Sequence, residues 1–435
     1  MHRIRLFASA RLLALAGLLG ASLLFVGFAG AQDDRDGEPS WWRDESTILV
    51  KFTAPADAGE IVAEEGDDEA GETTGRVRIV KLRRGKTVEE ALARYRARGN
   101  VAFAEPNYIA TAQLAAPNDT SYGSQWGLAK IKAADAWSIY PGSYVASGGS
   151  TVAVVDTGVD LGHADLAAHL LPGSAANCLT GTCSGAVSAA DDNGHGTHVA
   201  GIAAAVTNNG TGVAGVSINS SIMAVKALNS SGSGSYAAIS SGIKWAVDHG
   251  ADVINLSLGG YSYSSTLCGA VSYAVSNGVV LVAAAGNDGS SQPLYPASCP
   301  GAIGVAATNS SDGTASWSNY GSPNVFVSAP GVSIYSTYLG GGYATMSGTS
   351  MATPFVAGLA GLLVAQVPSR TATDVRVILA STSDKPAGVT FGSDPLGTCA
   401  CTWNASYGYG RINASQALSS GGTPPPPPPP PPATP

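Results

Sequence analysis

Charge is scarce in this chain. Only 12% of its 435 residues are Asp, Glu, Lys or Arg, and they sum to a net charge of −8. A nucleic-acid binder needs a basic stripe, which this balance argues against. Long apolar runs are scarce too: beyond the first 31 residues no segment approaches a membrane span. Spacings of the Cys-x-x-Cys or His-x-x-x-His kind are absent, so no zinc site is expected. Glycine is what the chain has in plenty, at 55 residues. Much glycine with little charge points to a compact, loop-rich, well-buried protein, neither disordered nor fibrous.

The first 31 residues read as an export signal. "MHRIRLFASAR" is basic, "LLALAGLLGASLLFVGFAG" is apolar, and Ala29-Gly30-Ala31 has the form of a cleavage site. The other reading of this run is a membrane anchor. Six cysteines fit an exported protein. They are paired here in chain order, Cys178 with Cys183, Cys268 with Cys299 and Cys399 with Cys401, one of several possible connectivities.

Charge density divides what remains. Residues 32–115 hold 17 acidic and 12 basic residues, whereas residues 116–435 hold 14 and 8. Two compositions in one chain imply two parts with separate fates. In the first part "STILVKF" and "RVRIVKL" read as strands. "TVEEALARYRARG" reads as a helix with Val88, Ala91, Leu92 and Tyr95 on one face. "DAGEIVAEEGDDEAGETTG" is expected to be a helix running into an acidic loop, and "NVAFAEPNYIATAQLAA" a strand with an extended tail. The sum is a small α+β module.

The second part alternates strand and helix. "STVAVVDTGVD", "SSIMAVKAL", "ADVINLSLGG", "VVLVAAAGN" and "GAIGVAAT" read as strands. "HGTHVAGIAAAVTNN", "SYAAISSGIKWAVDHG", "STLCGAVSYAVSNG" and "GTSMATPFVAGLAGLLVAQ" read as helices. That order predicts an α/β fold with a mainly parallel central sheet and helices on both faces. Active sites of such folds lie beyond the carboxyl ends of the strands. After Ser420 comes "GGTPPPPPPPPPATP", whose prolines form a semi-rigid spacer: a tail, or a linker to a further domain.

The stretch "MSGTSMATPFVAG", Met346 to Gly358, breaks from a small Gly-Thr-Ser run into an apolar helix. Ser350 at that junction reads either as a helix N-cap or as a nucleophile. A nucleophile needs a base, an orienting carboxylate and an oxyanion donor. Taken alone, Asp156 after "VAVV" reads as a turn cap, His195 in "NGHGTHVAG" as a structural histidine, and Asn287 after "VVLVAAAG" as a loop residue. His198, three residues beyond His195, suggests a metal pair, but no third ligand accompanies it. Together the four residues occupy one predicted edge of one sheet. They supply the acid, base, donor and nucleophile that acyl transfer requires.

The segments "VAVVDTGVD", "NGHGTHVAGIAAA", "INLSLGG", "AAAGN" and "GTSMATP" resemble the subtilisin-like serine proteases, in that family's order of Asp, His and Ser. "PNDTSYGSQWGL", "VTNNGTGVAG" and "SGSGSY" resemble its thermitase-like secreted members in particular. The resemblance covers about residues 117–418 and implies a three-layer fold. It also implies a division into a signal peptide at 1–31, an inhibitory propeptide at 32–115, a catalytic domain at 116–419 and a tail at 420–435.

The resemblance gives residue roles. Ser350 would be the nucleophile, His195 the general base and acid, Asp156 its orienting carboxylate, and Asn287 an oxyanion donor beside the Ser350 N–H. Gly232, Ser233 and Gly234 would pair with an extended substrate, opposite a rail of Ser257, Leu258 and Gly259. Leu294 would floor the primary pocket and make it shallow and apolar, with Asp288 at its rim. Phe355 stands where many relatives carry histidine, which would alter packing below the site. A structural calcium site would take the carboxylates of Asp119 and Asp165, the Asn209 side chain, and the carbonyls of Val206, Thr211 and Val213. The propeptide would be cut by the enzyme itself between Ala112 and Pro117.

The implied product is a secreted, monomeric serine endopeptidase acting on peptides or proteins and restrained by its own propeptide. It needs no nucleic acid, and no membrane in its mature form. A surface-tethered processing protease is the alternative. An inactive binding protein of the same fold is a third reading, against which the complete set of four residues speaks.

Overall fold

Ile48 and Val50 point the same way along β1 (Arg43–Phe52), and both are fully buried. This alternation builds the first sheet. The computed structural model describes residues 43–54, 58–73, 75–108, 114–145, 147–185 and 189–420. The expected export signal, the proline-rich tail and part of the expected maturation segment lie outside the described residues.

Residues 43–108 form an antiparallel sheet with two helices. After β1 come α1 (Ala58–Glu64), β2 (Asp68–Glu72), β3 (Val77–Lys81), α2 (Val88–Arg96) and β4 (Val101–Tyr108), with strand order β2-β3-β1-β4. Helix α2 buries Val88, Ala91, Leu92 and Tyr95, the face read from the sequence. Thr87 and Glu90 close its start as a reciprocal capping box. One expectation fails here. The acidic stretch after α1 is not a loop but strand β2. Arg78 on β3 reaches Glu69 at 2.6 Å and Glu72 at 2.7 Å. Opposite charges across the pair stand in for the apolar alternation that a sequence reading looks for.

The rest of the chain builds an eight-stranded sheet. Helices α3 (Trp126–Lys130) and α4 (Ala133–Ile139) precede β5 (Thr151–Asp156), β6 (Leu170–Asn177) and β7 (Ser184–Gly185). Then come α5 (His195–Ala204), β8 (Ser221–Lys226), α6 (Tyr236–Asp248), β9 (Val253–Leu256), α7 (Ser265–Ser276), β10 (Val280–Ala284), β11 (Ile303–Thr308) and β12 (Val327–Pro330). A small hairpin, β13 (Ile334–Tyr338) with β14 (Gly342–Met346), leads into α8 (Thr349–Gln366), and α9 (Ala372–Thr382) and α10 (Ala414–Ser419) close the chain. The order is β12-β11-β10-β9-β5-β8-β6-β7, parallel throughout except for β6 against β7.

One core packs α5 and α8 on one face of this sheet, and a second packs α6 and α7 on the other. The expected α/β fold with a mainly parallel sheet is therefore present. All three expected disulfides are present too: Cys178–Cys183, Cys268–Cys299 and Cys399–Cys401.

Helix α8 corrects the reading that no later segment approaches a membrane span. Its 18 residues have a mean hydropathy of 1.3, enough by length and composition, yet 78% of that window is buried inside the fold. A core helix wrapped by a sheet and other helices needs the same all-round apolar surface as a span.

Candidate active site

Strands β5, β9 and β10 lie side by side, so their carboxyl ends emerge together. Those ends deliver Asp156, Ser257 and, three residues beyond β10, Asn287. Helix α5 starts at His195, and α8 brings Ser350 in its first turn. The topology thus brings together the four residues singled out from the sequence.

Asp156 is fully buried. Its Oδ1 accepts from His195 Nδ1 at 2.7 Å and from the Thr157 N–H at 2.7 Å. With its proton on Nδ1, His195 keeps Nε2 free to accept another. Burial works against a charged His195 ring, but the Asp156 charge and hydrogen bond, with Asp191 behind them, outweigh it and raise the pKa above the ordinary histidine value.

Ser350 is not the N-cap of α8. Gly348 occupies that position, and Ser350 is the second helical residue. The helix start is capped instead by Asn287, whose Oδ1 accepts from the Thr349 N–H at 2.8 Å and from Thr349 Oγ1 at 2.9 Å. That leaves the Asn287 amide nitrogen free to point over Gly348. A Cβ on Gly348 would stand 3.5 Å from the Ser350 nitrogen and 3.6 Å from Asn287 Nδ2, so glycine keeps the space before two N–H donors open. Two donors facing one open position at a helix N-terminus favour developing negative charge there.

Pro354 lies inside α8 and has no N–H for the Ser350 carbonyl four residues back. Ser257 Oγ fills the gap, donating to the Ser350 carbonyl at 2.8 Å. In return Ser350 Oγ donates to the Ser257 carbonyl at 3.1 Å. Among the described residues no hydrogen bond joins Ser350 to His195 in this rotamer. Catalytic hydrogen bonds often form only once substrate is bound.

Gly232, Ser233 and Gly234 form an exposed, non-regular segment leading into α6, and Gly259 is exposed beyond β9. Leu294 is buried next to Gly259 and Gly286. A Cβ on Gly259 would come within 2.5 Å of its Cδ2, and one on Gly286 within 3.1 Å. Asp288 accepts a hydrogen bond from the Tyr261 hydroxyl. Phe355 is buried against Gly127 and is remote from the hydrogen bonds of the four site residues.

Asp119 and Asp165 are both buried. Asp119 accepts from the Asn208 N–H at 2.8 Å, and Asp165 accepts from the Val213 N–H at 2.7 Å and Asn209 Nδ2 at 2.8 Å. Burial pushes both carboxyls up, and the Asp119 charge pushes Asp165 further. Among the described residues no ion pair joins a basic side chain to either. His198 does not pair with His195. Its Nε2 faces the carbonyls of Ile334 at 3.1 Å and Ala344 at 3.0 Å, and burial lowers its pKa to about 4.

The sequence reading missed Thr157, Asp191 and Lys226. Lys226 is buried, and its Nζ donates to the Thr157 carbonyl and to Asp192, each at 2.6 Å. The available signal was an aspartate just ahead of the helix at "DDNGHG", a capping pattern.

The sequence profile of the subtilase family matches residues 147–410, and that of the fervidolysin N-terminal prodomain matches residues 44–107. Thermitase of Thermoactinomyces vulgaris is 46% identical over 303 residues, which is 69% of this chain and 99% of thermitase. A thermophilic serine proteinase of Bacillus sp. (strain AK1) is 45% identical over 320 residues, 73% of each chain. A protease structure from Pseudoalteromonas arctica superposes with a TM-score of 0.60 at 34% identity, covering 70% of this chain and 99% of that one. On this footing the chain belongs to the subtilase family, as a serine endopeptidase carrying an N-terminal prodomain.

Proposed function

We propose that the protein is a secreted endopeptidase that works through Asp156, His195 and Ser350 and is made as a self-processed zymogen. The observation that carries this is the 2.7 Å bond from His195 Nδ1 to the buried Asp156. Ser350 Oγ leaves the Ser257 carbonyl and attacks the scissile carbonyl as His195 Nε2 takes its proton. Asp156 stabilises the resulting imidazolium. Asn287 Nδ2 and the Ser350 N–H receive the oxyanion. His195 returns the proton to the leaving amine, then draws a proton from the water that releases the acyl group. Loss of the Asn287 donor is expected to cost about 10²–10³ in turnover, a magnitude known from subtilisin itself. The deciding experiment replaces Ser350 with Ala and treats the wild type with a phosphonylating reagent. Hydrolysis should vanish in the variant, and the label should sit on Ser350. Full hydrolysis by the variant would remove the reading.

Residues 1–31 direct export, 32–115 act as the inhibitory prodomain, 116–419 catalyse, and 420–435 form a tail. Cleavage falls between Ala112 and Pro117. If the Ser350→Ala chain, made without added protease, still carries the mature N-terminus, self-cleavage is wrong. Leu294 between Gly259 and Gly286 supports a shallow primary pocket that prefers small or medium apolar side chains. Dominant cleavage after Arg in a peptide library would refute that preference.

Calcium fits the Asp119–Asp165 region on chemical grounds. Two buried carboxylates repel each other, and among the described residues no ion pair joins Lys or Arg to either. Gly210 and Gly212 turn the adjacent loop with φ of 75° and 50°. Asp119, Asp165 and the carbonyls of Val206, Thr211 and Val213 would supply oxygen ligands. The Asn209 amide, whose oxygen now accepts from the Thr211 N–H, would have to rotate to add its own. The ion would supply charge neutralisation and would tie the segment around Asp119 to the core. A cation that binds only the folded state adds about 4 kcal/mol at a thousandfold excess over Kd. Exhaustive chelation should therefore lower the thermal midpoint while brief cold assays keep most activity. An unchanged midpoint, with no calcium found by elemental analysis, would sink the assignment.

A further inference from the structure

Five hydrogen bonds converge on the carboxylate of Asp191, which contacts none of the four site residues through them. Its Oδ1 accepts from Thr157 Oγ1 at 2.8 Å and from the N–H groups of Asn193 and Gly194 at 3.0 Å each. Its Oδ2 accepts from the Thr197 N–H at 3.0 Å and from Thr197 Oγ1 at 2.6 Å. Thr157 follows Asp156 directly, whereas Asn193, Gly194 and Thr197 surround His195. One side chain therefore binds the exit of β5 and the first turn of α5. The seam continues on either side: the Gly196 N–H donates to Thr157 Oγ1 at 2.9 Å, and the Asp160 N–H donates to Thr197 Oγ1 at 2.9 Å. The two backbones are in close contact, because a Cβ on Gly196 would stand 2.1 Å from the Gly158 carbonyl oxygen.

The Asp156–His195 bond spans these same two elements. Asp156 holds the ring at one point only, through Nδ1, and its own Oδ2 is buried without a partner. A single hydrogen bond does not fix the distance between a strand end and a helix start. The carboxylate of Asp191 adds the further constraints.

We propose that Asp191 is a positioning residue of the reaction, whose carboxylate locks the first turn of α5 to the exit of β5 and so fixes His195 against Asp156. The proposal rests on the role assigned above to His195. The Asp191 charge also reaches the ring and favours its protonated form alongside Asp156. Among the described residues, His198 on α5 is neutral near pH 7, Asp192 is paired with Lys226 from β8, and the Tyr338 hydroxyl of β13 donates to the Asn193 carbonyl. Burial works against the Asp191 charge, but hydrogen bonds from Gly194, Thr197 and Asn193 outweigh it and hold its pKa below the usual carboxylate value.

Two full-length variants test this, with kcat counted per site titrated by a phosphonylating reagent. Asp191→Asn keeps the shape, removes the charge and loses acceptor capacity. Its kcat should fall by about 10- to 100-fold with KM within about twofold, the pattern of a misplaced base. Because the lost charge favoured protonated His195, the acid limb of its kcat/KM profile should move to lower pH. Thr157→Val cuts the link to β5 but leaves the charge. Its kcat should fall by a smaller factor and its acid limb should stay in place. Asp191→Glu should recover part of the loss. Wild-type kcat and an unmoved acid limb in Asp191→Asn, with only a lower thermal midpoint, would show a structural role and overturn the proposal. If Asp191→Asn gives no matured enzyme, Thr157→Val decides by the same kcat criterion. A wild type whose hydrolysis survives Ser350→Ala would instead defeat the functional reading itself.

Discussion

In residues 43–108 the secondary-structure elements are cross-linked by charge. Arg98 pairs with Glu64 and Glu65, Arg78 with Glu69 and Glu72, Arg43 with Glu89, and Lys86 with Asp67. The catalytic part is built the other way. Strands β5, β9, β10 and β11 are apolar and almost wholly buried, helices cover both faces, and its ion pairs are sparse in a far longer chain. A module of this small size buries only about 60% of its unfolded surface. Exposed ion pairs add about 0–1 kcal/mol each and weaken with salt. The prodomain is thus stable only conditionally, whereas the catalytic part is not.

The contrast breaks most sharply at Asp67. Its side chain is fully buried and accepts from Lys86 at 2.8 Å and from the Arg83 N–H at 3.0 Å. Asp67→Ala strands a buried ammonium at a cost of about 3–5 kcal/mol, comparable to the whole stability of so small a module. Secretion of mature protease from the full chain should fall close to zero. Normal yield would mean that the prodomain is far more stable than its size implies.

A second test lies in the catalytic part. His198 titrates near 4 when folded and near the ordinary value when unfolded, so the unfolded state holds more protons between those pH values. Stability from this group is complete above about pH 6.5 and lost as pH falls towards 4, by about 3 kcal/mol in all. The thermal midpoint of phosphonylated enzyme should drop across that window, and His198→Asn should flatten the drop. Equal slopes in both proteins would rule this out. Thr87→Ala removes the α2 cap and should cost the prodomain about 1 kcal/mol, read as slower maturation. Arg78→Ala should cost less than about 1 kcal/mol, and its effect should disappear in high salt.

The same contrast explains what the sequence revealed. The buried parallel strands announced themselves as short apolar runs between helical patterns, and the candidate positions stood out because each lies at or just beyond a strand end or in the first turn of a helix. Strand β2 was hidden because charge pairs hold it. The β13–β14 hairpin carries no apolar run of its own, and His198 reaches its backbone from α5. Residues such as Asp191, and the exchange between Ser257 and Ser350, depend on segments dozens of residues apart, which local pattern does not report. The cap of α8 was not legible locally, because its acceptor is the side chain of Asn287, three residues beyond β10.

The strand order has a kinetic consequence. Beside β5 lie β8 and β9, which follow it only after long stretches of chain, and the sheet continues in parallel from β9 through the α7 crossover to β10 and then through loops to β11 and β12. Contacts of such wide sequence separation require the loop-closure entropy to be spent before they return stabilisation, so folding is slow. A long climb on the folding side leaves unfolded chains exposed for longer to neighbours that cut them. The prodomain also pairs its first strand with its last, β1 with β4, but it has far less chain to close and so reaches its own structure sooner. For a protease surrounded by copies of itself, survival is governed by how often the closed sheet opens.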